Sequence, residues 1–226
     1  MTTEDDTRID RGTGEEADED RSRFLAFSDG VFAFAATLLA VSLAAPVLRP
    51  DQLSELPGRL RDLWPQVLAY AISFLVVSSF WGAHRQIFRR IPRLDDALIA
   101  MNVSLLMLIA VLPFPTAVLG LYSSVPIAVV LYTATLTAIS LLLVIVRMYA
   151  LSKNLMRRAA SPDLHRVQTV RSLIFPAVFA GSIPVAYYAR PPSWAMYSWL
   201  LLIPLNMLLN RLPRRKPVQR TERPSG

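Results

Sequence analysis

The chain has 226 residues, of which 53% are hydrophobic and 18% charged, with a formal net charge of +7 and no cysteine. A soluble domain usually carries about 45–50% apolar and about 25% charged residues, so this balance points to a membrane protein. Disulfides and cysteine-based metal sites are excluded.

The charge is unevenly spread. Residues 1–20 hold nine acids and two bases. They lack apolar content and repel one another, which predicts a disordered acidic tail over 1–20. The basic, proline-containing stretch 212–226 reads as a second disordered tail. Between them, 21–211 form the membrane domain. Its bases sit in short clusters between apolar runs, which marks them as orientation signals and argues against a nucleic-acid partner.

Six apolar runs follow in order, at 24–45, 63–81, 97–119, 125–149, 170–188 and 194–209. Each is near the roughly 20 residues that cross a bilayer as a helix. In lipid a helix satisfies its own backbone groups, so an all-α membrane protein with six transmembrane helices is expected. Pro113 and Pro115 in the third run, Pro176 and Pro184 in the fifth and Pro204 in the sixth predict kinks. The fifth, which also contains Gly181, is the weakest helix signal. Alternate connections carry 20 bases on one side and 4 on the other. The richer side includes both ends of the chain, which places both termini in the cytoplasm. The first run is longer than a signal-peptide core and follows an acidic segment, so it reads as a retained span.

At about 100° per residue, Phe27, Gly30, Thr37, Leu38 and Val41 fall within about 60° of Phe34. The bulky face they form suits lipid contact or an apolar pore wall, and periodicity does not separate the two. Ala26, Asp29, Ala33, Ala36, Ala40 and Ala44 are expected on a roughly opposite, small-residue face that packs against other helices. Asp29 there requires a partner. Arg23, Ser28 and His84 are candidates, and the carboxylate serves as a structural tie or as an ion ligand or proton relay.

His84 and His165 have no metal-ligand spacing around them, so no metal site is expected. Thr37, Ser42, Asn102, Ser104, Thr133, Thr135, Thr137 and Asn206 are polar residues within spans, expected to bond neighbouring helices or their own backbone. Trp64, Trp81, Trp194 and Trp199 near run ends fit interfacial anchoring. No nucleophile set, carboxylate pair or phosphate loop assembles, so neither an enzyme nor a cofactor is indicated.

Three segments carry a family resemblance. The stretch Arg23-Phe-Leu-Ala-Phe27-Ser28-Asp29-Gly30 resembles the Arg-x-x-x-Phe-Ser-Asp signature of the transmembrane protein 175 family of potassium channels, and the likeness continues through Ala33 to Leu39. Trp81-Gly-Ala-His84 resembles the Trp-x-x-His end of that family's second helix. Asn102 with Leu112-Pro-Phe-Pro-Thr116 resembles its third. The last three runs agree in number and hydropathy only. The resemblance implies a multi-pass cell-membrane protein, a homotetramer of six-helix subunits whose first helix lines a potassium pore. It implies a constriction of Phe34, Leu38 and Val41 with Thr37 as a polar layer. It also implies a structural group of Arg23, Phe27, Ser28, Asp29 and Gly30 with Trp81, His84 and Asn102. The sequence departs from the family at Phe34, where isoleucine is usual. Potassium ion, the lipid bilayer and further copies of the chain are the partners this implies. A secondary transporter, with the Pro176–Gly181–Pro184 region as its interrupted helix, and a non-conducting membrane scaffold are the alternatives.

Overall fold

The computed structural model describes residues 3–156, 173–184 and 188. Helix α1 is Thr3–Val41. A one-turn-and-more 3-10 helix at Pro50–Glu55 leads into α2 at Leu56–Asp62 and α3 at Trp64–Phe88. Then come α4 at Asp96–Val111, α5 at Pro113–Leu121 and α6 at Pro126–Ser152. A shorter apolar helix, α7, covers Leu173–Pro184.

Among the described residues, four stretches are long and apolar enough to cross a membrane: Asp18–Val41, Pro50–Phe88, Asp96–Leu121 and Pro126–Ser152. They correspond to the first four predicted runs. Of the fifth, 12 residues form α7, fewer than the run 170–188. The sixth run and the basic tail lie outside the described residues, as do His165, Trp194, Trp199 and Asn206.

The disordered tail expected over 1–20 is corrected by the backbone, which is helical from Thr3 onward. Helix nucleation is the costly step, and the apolar span supplies the nucleus. At its other end α1 stops at Val41, short of the expected 45, and unwinds through i→i+3 bonds from Ser42 to Leu39 and Leu43 to Ala40. Pro46 follows closely, and a proline disfavours helical conformation in the residue before it.

Helix α3 runs seven residues beyond the predicted 81. Arg85 is exposed with its guanidinium 5.0 Å over the Trp81 ring, so the charge is accommodated and a base does not end the helix. Arg21 finishes this end, donating from Nε to the Ile91 carbonyl at 2.9 Å and from a terminal nitrogen to the Phe88 carbonyl at 3.1 Å. A guanidinium there meets the otherwise unpaired carbonyls and the negative end of the helix dipole.

The third span is two helices sharing one apolar stretch, as its prolines predict. Pro113 and Pro115 have no N–H, so the carbonyls of Ile109 and Val111 lose their helical donors. The Leu112 N–H turns to the Ile109 carbonyl at 3.2 Å, and α5 restarts at once. Helix α6 ends on a Schellman motif. Asn154 has φ 53°. Its N–H reaches the Leu151 carbonyl at 3.1 Å, and the Leu155 N–H reaches the Ala150 carbonyl at 2.9 Å. Asparagine tolerates this left-handed position better than most residues.

Helix α1 packs on α3, α4 and α5, while α6 closes the other side against α4 and α5. The buried cluster joins Phe32, Leu39, Ile72, Leu105, Ile109 and Tyr132. Phe179 of α7 is fully buried edge-on to Phe80, ring centroids 6.4 Å apart. Where α5 meets the start of α3, Gly120 lets the backbones touch: a Cβ there would lie 3.0 Å from the Gln66 Cα. Small residues permit such approaches between membrane helices. Gly120→Val is therefore expected to cost roughly 1–3 kcal/mol through overpacking. A lowered melting midpoint of the detergent-solubilised protein checks this, and an unchanged one removes the close approach.

Candidate functional site

The membrane part of α1 has two sharply different sides. Ser28, Phe32, Ala35 and Leu39 are buried against the neighbouring helices. On the other side Phe27, Phe34 and Val41 are 63%, 65% and 75% exposed. Gly30, Ala33, Thr37 and Ala40 are exposed between them, and Leu38 sits half-buried at the edge. The expected packing face is thus corrected. Ala26, Ala33 and Ala40 are exposed and widen one open face, while Ala36 is half-buried against the core. Ser28, Phe32, Ala35 and Leu39 recur at i, i+4, i+7 and i+11, which is one helical face with enough side-chain volume to fill the groove between α3 and α4. Only 22% of the α1 membrane window is buried, against 33–44% in the other three spans.

Within the open face Thr37 donates its hydroxyl to the Phe34 carbonyl at 2.8 Å. Its single proton is thereby committed, and the oxygen presents lone pairs outward. The site that results is an apolar ridge of Phe34, Leu38 and Val41 with one electronegative layer.

Behind the ridge lies a buried polar chain that joins three helices. His84 and Asn102 meet through Nε2 and Oδ1 at 2.8 Å, and the Asn102 amide donates to Ser28 Oγ at 3.0 Å. Ser28 in turn donates to the Phe24 carbonyl at 3.0 Å. The carbonyl only accepts, so each donor upstream is fixed: Ser28 accepts from Asn102, and Asn102 accepts from His84. His84 therefore carries its hydrogen on Nε2. Its Nδ1 is buried without a hydrogen-bond partner, beside the Phe88 ring at 4.5 Å and the Phe32 ring at 5.4 Å. All three polar residues of the chain are fully buried.

The expected group divides into two. Ser28, His84 and Asn102 come together as described. Asp29 instead accepts from Trp81 Nε1 at 2.8 Å, and Arg85 lies 5.0 Å over the Trp81 ring. Trp81 is thus a tie to α1 as well as a residue near a membrane boundary. Arg23 does not reach Asp29: it points outward to Glu19 at 2.6 Å. From position 23 the side chain lies on the open face of α1, about 120° from Asp29, which explains the separation. Arg21, by contrast, turns into the fold and binds the end of α3.

A second polar cluster was also missed. Thr116 Oγ1 bonds Ser73 Oγ at 3.0 Å, and Ser73 Oγ lies 2.9 Å from the Tyr132 hydroxyl. This ties α3, α5 and α6 in mid-span. Regular spacing of small polar residues opposite one tyrosine gives little signal in a chain where most hydroxyls bond their own helix. Ser42, Ser104, Thr133, Thr135 and Thr137 do bond their own helix. No group of three or more His, Asp or Glu able to hold a metal occurs among the described residues.

The fold, with four described stretches long and apolar enough to cross a membrane, defines a polytopic helical protein similar in architecture to a solved bacterial structure. That structure is a crystal structure of a lysosomal potassium-selective channel TMEM175 homolog from Chamaesiphon minutus, with TM-score 0.74 and 27% identity over 85% of this chain and 99% of the other. The family model described as endosomal/lysosomal potassium channel TMEM175 matches residues 23–113. A potassium channel of Streptomyces collinus is 43% identical over 100 residues, 44% of this chain and 48% of that protein. The endosomal/lysosomal proton channel TMEM175 of Gallus gallus is 30% identical over 128 residues, 56% of this chain and 25% of that protein. Over residues 23–113 the chain is similar to the TMEM175 family. Its match spans about half the length of the Streptomyces relative.

Proposed function

We propose that this chain is a subunit of a potassium-permeable cation channel of the cell membrane, in which four copies surround one axis and α1 lines the pore. Each subunit crosses the bilayer six times with both termini in the cytoplasm, and the membrane domain extends over 21–211. Phe34, Leu38 and Val41 form the constriction and Thr37 a polar layer beside it. Ser28, His84 and Asn102 hold α1 against α3 and α4, with Asp29 and Trp81 as a second tie and Arg23, Phe27 and Gly30 toward the shared axis.

The observation that carries this is the open face of α1. A helix held on one side by buried hydrogen bonds presents the other, with Phe34 and Val41 at its crest, to something outside the subunit. A closed ring of subunits is the common symmetric way to cover such faces. An apolar constriction resists ions by dewetting, and the outward lone pairs of Thr37 favour cations over anions. The names of the bacterial relatives support potassium as the ion.

Purified protein in liposomes with an outward potassium gradient tests the proposal. Downhill potassium flux that needs no coupled substrate and exceeds sodium flux is expected. Saturable, substrate-coupled flux identifies a transporter, and absence of flux from folded protein leaves a scaffold. Vertebrate relatives are named proton channels. A pH-sensitive dye in the same liposomes distinguishes proton from potassium permeation.

A further inference from the structure

The segment between α1 and α3 takes no part in that pore, yet it carries an organised surface. Neither the 3-10 helix Pro50–Glu55 nor α2 has a buried residue. Leu53, Leu60 and Trp64 are 62%, 53% and 62% exposed, and Leu56 is exposed between them. In a 3-10 turn residues three apart eclipse, so Leu53 stands over Leu56. From there Leu56, Leu60 and Trp64 follow at i, i+4 and i+8, within about 80° of one another. The result is one apolar strip, four side chains long, covered by no other part of the described subunit.

The charges around it are ordered too. Measured from Leu60, Arg59 and Arg61 lie about 100° to either side, and Glu55 and Asp62 about 140–160° away. Bases thus flank the strip and acids stand opposite it. Flanking arginines reach phosphates while their stems cover apolar surface, and acids are tolerated where they face water. Glu55 and Arg59 pair at 3.2 Å, within the segment.

Length fixes the depth. Pro50–Phe88 has 39 residues. As one straight helix it would span about 58 Å, nearly twice the roughly 30 Å hydrocarbon core. Helix α3 alone exceeds that core, so 50–62 lie beyond it. Pro57 and Pro65 stand second in α2 and α3, within the first turn, where a proline costs no helical hydrogen bond. Trp64 marks the boundary, the depth at which tryptophan is enriched.

We propose that residues 50–64 lie along the membrane surface on the side opposite the 89–95 connection, with the Leu53–Leu56–Leu60–Trp64 strip in the headgroup–acyl boundary of the phospholipid. Arg59 and Arg61 meet lipid phosphates from either flank. Acids and bases nearly balance here, so the contact forms on zwitterionic lipid as it does on anionic lipid. The proposal needs membrane insertion only and stands apart from permeation.

The absence of cysteine allows a direct test. Leu53→Cys, Leu60→Cys, Glu55→Cys and Asp62→Cys are each spin-labelled, and the protein is reconstituted in phosphatidylcholine liposomes. Collision with oxygen is compared with collision with a water-soluble nickel chelate. Labels at 53 and 60 are expected to favour oxygen several-fold, and labels at 55 and 62 the nickel chelate. Nickel access at all four positions would place the segment in water and overturn the proposal. Labels at 53 and 60 shielded from both reagents, with spin–spin broadening, would make the strip an interface between copies and overturn it equally.

Discussion

Leu38→Asn is expected to raise potassium current through the reconstituted protein on the order of tenfold, equivalent to about 1.4 kcal/mol off the permeation barrier. The reasoning starts from the proposed ring. A ring of leucines offers an ion nothing in exchange for the water it sheds, and a narrow apolar ring also empties of water. Asparagine is close to leucine in size but supplies a carbonyl oxygen and an amide, so water and ion both gain partners at the barrier. Position 38 lies about 40° from Phe34 on the helix, at the edge where the open face meets the packed one. The side chain is half-buried in the subunit, so substitution leaves the buried chain of Ser28 and Asn102 intact. Val103 serves as the control. It is exposed on α4, and Val103→Ala should leave the current unchanged. Planar-bilayer recording of single channels provides the measurement. Equal conductance in wild type and Leu38→Asn, with both proteins eluting as the same oligomer, would turn this face of α1 away from the permeation path.

The first four spans were legible because their signal is length and hydropathy, and a bilayer leaves the backbone few alternatives to a helix. The break at Leu112 was legible because proline removes a specific donor. Asn102 stood out as an amide within an apolar run, and it is the one among the flagged polar residues of the described spans whose side chain bonds other helices. The packed face of α1 was not legible. Both sides of that helix are apolar, and a soluble protein's contrast between core and water is missing. Alanine was read as a packing surface because small residues permit close approach. The groove between α3 and α4 takes Phe32, Ala35 and Leu39 instead, and Ala26, Ala33 and Ala40 remain exposed. The extension of α3 to Phe88 was hidden by Arg85, whose charge resembles a loop and whose guanidinium stacks on Trp81. The Trp81–Asp29 pair was hidden for a related reason: an indole N–H is a donor as well as a membrane anchor.

Asn102→Leu is expected to destabilise the protein by about 2–4 kcal/mol, because it removes the middle of a chain whose ends are then buried unsatisfied. Asn102 accepts from His84 and donates to Ser28, and all three are inaccessible to water. With leucine in place, the His84 Nε2–H has no acceptor, and Nδ1 already lacks a partner. Both ring nitrogens would then sit between Phe32 and Phe88. Ser28 keeps its bond to the Phe24 carbonyl, so the larger loss falls on the α3–α4 side. Polar contacts between membrane helices average well under the strongest estimates, which sets the lower end of the range. Removing a second partner should recover part of the cost, since an apolar pair leaves nothing unsatisfied. His84→Phe combined with Asn102→Leu is therefore expected to be less destabilised than the sum of the two single variants, with a coupling of about 1–3 kcal/mol. Melting midpoints of the four proteins in one detergent close the cycle. Additive losses would mean that His84 and Asn102 do not bond in the membrane. The tie holding α1 to α3 and α4 would then reduce to the Asp29–Trp81 pair and apolar packing.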